Sequence, residues 1–242
     1  MKTSKAIAII QKYEPSEGYH VAFSGGKDSV VVYDLVKKAG VKYQAYFCVT
    51  TVDPPELLKF IKQNYPEVLW LRPKKSMYQL IQEKGVPTRI GRFCCAHLKE
   101  YAGIGEVLVT GIRWEESNAR SCRDFYEKDT RKDKWYVNPI IDWKEWEVWE
   151  YTEKNKLPIC ELYDLPYVSR IGCIGCPMAY YKTRQRELNR YPRFKAMYIK
   201  AIQKRMEQGK FEKFKDAEDV YNWWVGNLSM DEYLRQYKID FK

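Results

Sequence analysis

Short apolar runs alternate with stretches of helical periodicity over the first 110 residues of the chain. The runs read as strands near Tyr19–Phe23, Tyr43–Val49, Val68–Leu71 and Glu106–Gly111. Between them, helical spacing of apolar positions predicts helices over Lys27–Lys38, Pro54–Asn64 and Met77–Lys84, the second opened by a proline suited to a first turn. Strand and helix in alternation predict successive βα units and a mostly parallel sheet. A further extended segment at Trp135–Ile141 completes five strands. Beyond it, Asp142 is the expected cap of a helix in which Trp143, Trp146 and Trp149 recur every three residues as one core-facing stripe. The chain after Pro177 is predicted to be wholly helical.

With 242 residues and 45% hydrophobic content, the chain can enclose one main core and a smaller unit, expected at residues 1–178 and 179–242. No N-terminal apolar stretch resembles a signal peptide and no run of about 18 apolar residues offers a membrane span, so a cytoplasmic protein with no membrane partner is expected. The charge of +10 is concentrated between Lys182 and Lys215, where twelve Lys or Arg face three Glu. Such a segment can hold a tRNA or DNA substrate through phosphates and through Tyr191, Phe194, Tyr198, Phe211 and Phe214. A charge run is more often a solvated helix whose aromatics face a core, and that reading stands beside the first.

The candidate chemistry begins in "VAFSGGKDSVV", where a strand meets a helix. Gly25 and Gly26 allow close backbone approach, so N–H groups can converge on an anion at the helix N-terminus. Ser24 and Ser29 add hydroxyl donors, Lys27 adds a positive charge, and Asp28 can hold Mg2+ or position the loop. Neither GxxxxGK[ST] nor GxGxxG is present. Arg113 and Arg120 offer forked donors suited to phosphate. The seven cysteines include Cys173 and Cys176 at metal-binding spacing, with Cys94, Cys95 and Cys160 to complete a shell. Four thiolates suit zinc or a [4Fe–4S] cluster alike. Cys48 lies in an apolar strand and is expected to be buried. Cys122, beside Arg120, reads as an idle or reactive thiol.

"SGGKDS" resembles the PP-loop of the adenine-nucleotide α-hydrolase superfamily, and the rest of the chain resembles the phosphoadenylylsulfate (PAPS) reductase family within it. "TGIRWEESNAR", "NPIIDWKEWEVWEY" and "LYDLPYVSRIGCIGCP" are similar to that family's segments, and "YNWWVGN" resembles a tail of short, phage-type members. The resemblance implies an α/β fold with a Rossmann-like (HUP-type), mostly parallel five-stranded sheet flanked by helices, followed by a helical C-terminal region. It implies an adenine-nucleotide seat of Ser24, Gly25, Gly26, Lys27, Asp28, Ser29, Gly111, Arg113 and Arg120, with Thr51 and Asp53 near adenine or ribose. It also implies a [4Fe–4S] cluster, with zinc the alternative, held by Cys94, Cys160, Cys173 and Cys176. Cys95 is the alternate ligand, and otherwise a free thiol whose thiolate Lys99 stabilises.

Sulfonucleotide reductases carry a C-terminal ECG-type motif whose cysteine attacks sulfur, and no cysteine follows Cys176 here. The expected reaction is therefore ATP-dependent adenylation, with Mg2+, and sulfur transfer to an acceptor such as nucleic acid. Lys27, Asp28 and Arg113 would carry the catalysis. The alternatives are reduction of adenylylsulfate (APS) or PAPS to sulfite, with Cys95 or a thiol or sulfur-donor protein as nucleophile, and a nucleotide-binding module without catalysis.

Overall fold

The structure, a computed structural model, describes residues 2–239. Its strands are β1 (Tyr19–Ala22), β2 (Tyr43–Cys48), β3 (Leu69–Leu71), β4 (Val107–Val109), β5 (Tyr126–Asp129) and β6 (Lys134–Val137). Its helices are α1 (Lys2–Lys12), α2 (Lys27–Ala39), α3 (Pro55–Asn64), α4 (Met77–Lys84), α5 (Phe93–Leu98), α6 (Asn118–Ser121), α7 (Glu145–Lys154), α8 (Tyr181–Arg190), α9 (Pro192–Met206), α10 (Ala217–Val225) and α11 (Met230–Ile239). None of the described helices is long and apolar enough to cross a membrane.

The strands form one six-stranded sheet in the order β3-β2-β1-β4-β6-β5. All neighbours are parallel except β5 and β6, which pair antiparallel with Tyr126 opposite Val137. The expected mostly parallel α/β sheet is present, with six strands rather than five. The added strand, Tyr-Glu-Lys-Asp, sits at the sheet edge. There one flank meets solvent, and charged side chains are tolerated and discourage further pairing. The central strands are mostly apolar, with His20 in β1 and Gln44 in β2 as the polar positions.

The chain divides into two compact units, and the division does not follow a single cut at residue 178. The α/β unit comprises residues up to Val49, Pro55–Arg72 and Tyr101–Ile171. Its core joins Val21, Phe23, Val31, Leu35 and Phe47 to Val137, Trp143 and Val148. The helix α1 packs on α2 through Ala6 and Ile10, and the Tyr19 hydroxyl donates to the Ile10 carbonyl at 2.7 Å. The helical unit comprises Thr50–Pro54, Pro73–Glu100 and the chain from Gly172 onward. There α9 packs against α4, α8 and α10 around Leu80, Ile81, Leu188, Tyr198, Ile202 and Trp224.

Two expectations are corrected at α7. The helix starts at Glu145 with Lys144 as its cap residue, whose N–H donates to Glu147 at 2.7 Å, while Asp142 instead holds Lys5 at 2.8 Å. Trp143 thus precedes the helix and is buried in the core, whereas Trp146 is 63% exposed. The inward face is Val148, Tyr151 and Thr152, because a 3.6-residue turn carries every third residue progressively off a fixed face. In the basic segment, Tyr198 and Phe214 are buried and Tyr191, Phe194 and Phe211 pack against the helical core, so these aromatics serve packing.

Candidate functional site

The sheet order reverses between β1 and β4, and open α/β sheets bind ligands beyond the strand ends at such a point. The loop Ser24–Ser29 leaves β1 there and opens α2 with Gly26 as cap residue. Gly25 takes φ +72°, and a Cβ on it would stand 2.7 Å from Leu57 and 2.9 Å from Ile61, so glycine is required twice over. The Ser24 N–H donates to Ser29 Oγ at 3.2 Å, and Ser29 Oγ donates to the Gly26 carbonyl at 2.8 Å. The loop is therefore held shut by its own hydroxyls.

The segment after β4 closes on this loop. A Cβ on Gly111 would lie 2.9 Å from the Asp28 carbonyl oxygen, so only glycine lets the two backbones meet. Two residues on, Arg113 is 3% exposed and donates from Nε to Asp28 Oδ1 at 2.6 Å, with Glu115 on its Nη1. Arg120 pairs with Glu116, and Arg123 with Glu127. Burial lowers the Arg120 ionisation to about 10, and Arg170 is the next largest influence, with Arg113 and Arg123 acting the same way and Asp28 opposing. Arg113 thus holds Asp28, and Arg120 feels the charges of Arg170, Arg113 and Arg123 together with that of Asp28, an arrangement suited to an anion. The Lys27 side chain is almost wholly enclosed and reaches the Ser169 carbonyl at 3.1 Å, Glu145 at 3.1 Å and Asp28 at 3.4 Å.

Four of the seven cysteines lie in the helical unit. The helix α5 presents Cys94 and Cys95, and the Cys173–Cys176 turn closes with the Cys176 N–H on the Cys173 carbonyl at 3.1 Å. Gly175 takes φ +75° within that turn, packed under Trp224 and Tyr198. Hydrogen bonding from Cys94 lowers the Cys95 thiol to about 6, Lys99 and Arg92 assisting against burial. The same hydrogen bond, with burial and the charges of Cys95, Cys173 and Cys176, pushes Cys94 up. Lys99 is pushed up by Cys173 first, then by Asp53, Cys176 and Cys95. Among the described residues no three or more His, Cys, Asp or Glu gather as a site for a single metal ion.

Residues 18–179 match the family described as the phosphoadenosine phosphosulfate reductase domain. The chain belongs to that family. Relatives in the phosphoadenosine phosphosulfate reductase family include the adenosine 5'-phosphosulfate reductase of Oceanobacillus iheyensis, 32% identical over 72% of this chain and 78% of its own length. The enzyme of the same name from Staphylococcus haemolyticus is 28% identical over 75% of this chain and 79% of its own. An uncharacterized protein of Methanocaldococcus jannaschii is 29% identical over 72% of this chain, which spans only 46% of that protein. The crystal structure of phosphoadenylyl-sulfate (PAPS) reductase from Candida auris, a phosphate complex, shares the fold with a TM-score of 0.54 and 19% identity, covering 70% of this chain and 88% of its own.

The residues expected to seat the nucleotide, Ser24, Gly25, Gly26, Lys27, Asp28, Ser29, Gly111, Arg113 and Arg120, all fall in the α/β unit. Thr51 and Asp53 fall in the helical unit, with their oxygens engaged locally: Thr51 accepts the Met77 N–H at 2.9 Å, and Asp53 accepts the Thr50 N–H at 2.7 Å. Cys160 falls in the α/β unit. It is 1% exposed in the α/β core, and Glu161, Glu56 and Asp164 are its charged neighbours. The thiols of the helical unit are Cys94, Cys95, Cys173 and Cys176. Cys48, at the end of β2, is half-buried, and Cys122 is exposed with its thiol 3.6 Å from the Asn118 carbonyl. Tyr163, which accepts the Lys27 N–H, and Arg170, whose charge reaches Arg120, were not singled out by the sequence. Their one local signal is membership of "LYDLPYVSRIGC", which spacing alone does not connect to the loop.

Proposed function

We propose that the protein binds the anionic arm of adenylylsulfate or its 3'-phosphorylated form at the Ser24–Ser29 loop and releases sulfite from it. The observation that carries this reading is the clamp in which Gly111 and Arg113 close on Asp28 at the switch point, in a chain whose named relatives are adenosine 5'-phosphosulfate reductases. The reductive reading takes precedence over ATP-driven sulfur transfer because those names describe the reductive reaction.

The seat's own residues would act by positioning and charge. The loop amides and arginines hold the phosphate–sulfate arm, and Asp28 fixes Arg113 in place. A thiolate from a dithiol donor attacks the sulfate sulfur, an S–S bond forms, the bond from sulfur to the phosphate oxygen breaks, and AMP departs with the electron pair. A second thiol of the donor then attacks the sulfur-bound thiol, so that sulfite leaves and a disulfide remains. Cys94, Cys95, Cys173 and Cys176 would hold a [4Fe–4S] cluster. Four thiols drawn from two segments suit a thiolate shell, and the charges of Cys173, Cys176 and Cys95 reach Lys99. When bound, such a cluster supplies redox-active iron and local charge.

The test is sulfite and AMP release from adenylylsulfate with a dithiol reductant, using anaerobically purified protein assayed for about four iron per chain. Sulfite and AMP in equal amounts are expected. AMP and pyrophosphate from ATP and Mg2+, with adenylylsulfate inert, would overturn the reading.

A further inference from the structure

The stretch between Cys160 and Ile171 is fastened to the glycine loop at two points, both on Lys27. The Tyr163 hydroxyl accepts the Lys27 backbone N–H at 3.0 Å, and a Cβ on Gly26 would stand 3.3 Å from that hydroxyl. Six residues later the Ser169 carbonyl accepts from Lys27 Nζ at 3.1 Å. Trp149 meets Tyr163 edge-on at 5.2 Å, and the ammonium stands 5.8 Å and 5.5 Å from their ring centres. An ammonium has three donors, and here Ser169, Glu145 and Asp28 supply three acceptors. At 2% exposure, Lys27 has its charge satisfied within the protein.

We propose that Lys27 anchors this strap and that Arg170, the residue after the fastened Ser169 carbonyl, receives the anionic arm of the bound nucleotide. The arginine is exposed, and no hydrogen bond or ion pair among the described residues holds its guanidinium. Arg113, by contrast, is enclosed and tied to Asp28 and Glu115, and Arg120 is tied to Glu116. The repulsion between Arg170 and Arg120 marks the two guanidiniums as neighbours, and an anion between them would relieve it. Forked donors match the oxygens of a phosphate or sulfate. This deepens the proposed function and rests on it: the strap residue would recognise the charged arm, not the adenosine.

The experiment is calorimetric titration of the full chain with adenylylsulfate, AMP and adenosine, using wild type, Arg170→Ala and Arg170→Lys. Arg170→Ala should weaken adenylylsulfate and AMP by roughly ten- to a hundredfold, the loss of one charge-assisted hydrogen-bond donor, and leave adenosine unchanged. Arg170→Lys should recover part of the loss. Unchanged adenylylsulfate affinity in Arg170→Ala, or an equal loss for adenosine, would overturn the assignment of Arg170. A wild-type chain that binds none of the three would instead overturn the nucleotide reading beneath it.

Discussion

Replacing Asp28 with asparagine removes one negative charge from between two enclosed cations. Arg113 Nε stands 2.6 Å and Lys27 Nζ 3.4 Å from the carboxylate, and the two cations are 3% and 2% exposed. At an effective dielectric of about 20, unit charges about 4 Å apart interact by about 4 kcal/mol. Breaking one side of an enclosed pair costs about 3–5 kcal/mol. Three features reduce that figure: the amide oxygen still accepts from Nε, Glu115 remains on Arg113, and Glu145 remains on Lys27 at 3.1 Å. The expected loss is about 2–3 kcal/mol. Hydrogen exchange of the β1 and α2 amides measures it in the α/β unit apart from the helical unit. Left with excess positive charge, the variant should gain more stability from added sulfate than wild type does. A loss below about 0.5 kcal/mol with an unchanged sulfate response would refute the view that Asp28 organises the seat.

Gly111→Ala places a Cβ 2.9 Å from the Asp28 carbonyl oxygen, where only backbone can yield, so a cost of about 1–3 kcal/mol and weaker adenylylsulfate binding are expected in unfolding and titration experiments. Trp143→Ala should cost about 3–5 kcal/mol and Trp146→Ala less than about 0.5 kcal/mol, since one ring is 3% and the other 63% exposed, and parallel thermal melts check the contrast. Burial lowers the His20 pKa below 6.5, with Glu106 opposing. Its contribution to stability is then present above 6.5 and lost as pH falls through the lowered value, so wild type should weaken below pH 6.5 more steeply than His20→Gln. Matching pH profiles in denaturant titrations would contradict this.

The fold and the loop were legible because their causes are local. Interior parallel strands are mostly apolar, so β1, β2 and β4 announce themselves despite His20 and Gln44, and Ser24–Ser29 is punctuated by the glycines its turn requires. The edge strand β5 was hidden because its pairing is made by backbone groups while its side chains read Tyr-Glu-Lys-Asp. The tryptophan stripe misled because spacing gives a period without an origin, and the helix starts two residues after Trp143.

By itself, then, the sequence determined a βα-repeating sheet, a glycine loop between β1 and α2, a basic C-terminal helical stretch and a supply of thiols. Tertiary structure alone decided how these are used. Lys27 is engaged by acceptors at Glu145 and Ser169, more than a hundred residues along the chain, as well as by Asp28 in the loop. Cys95 lies in the helical unit and Cys160 in the α/β core, a division that spacing along the chain does not give. The physical reason is the same in each case: propensity and periodicity act over a few residues, whereas the partner that satisfies a buried charge or groups with a thiol is fixed only when distant segments pack.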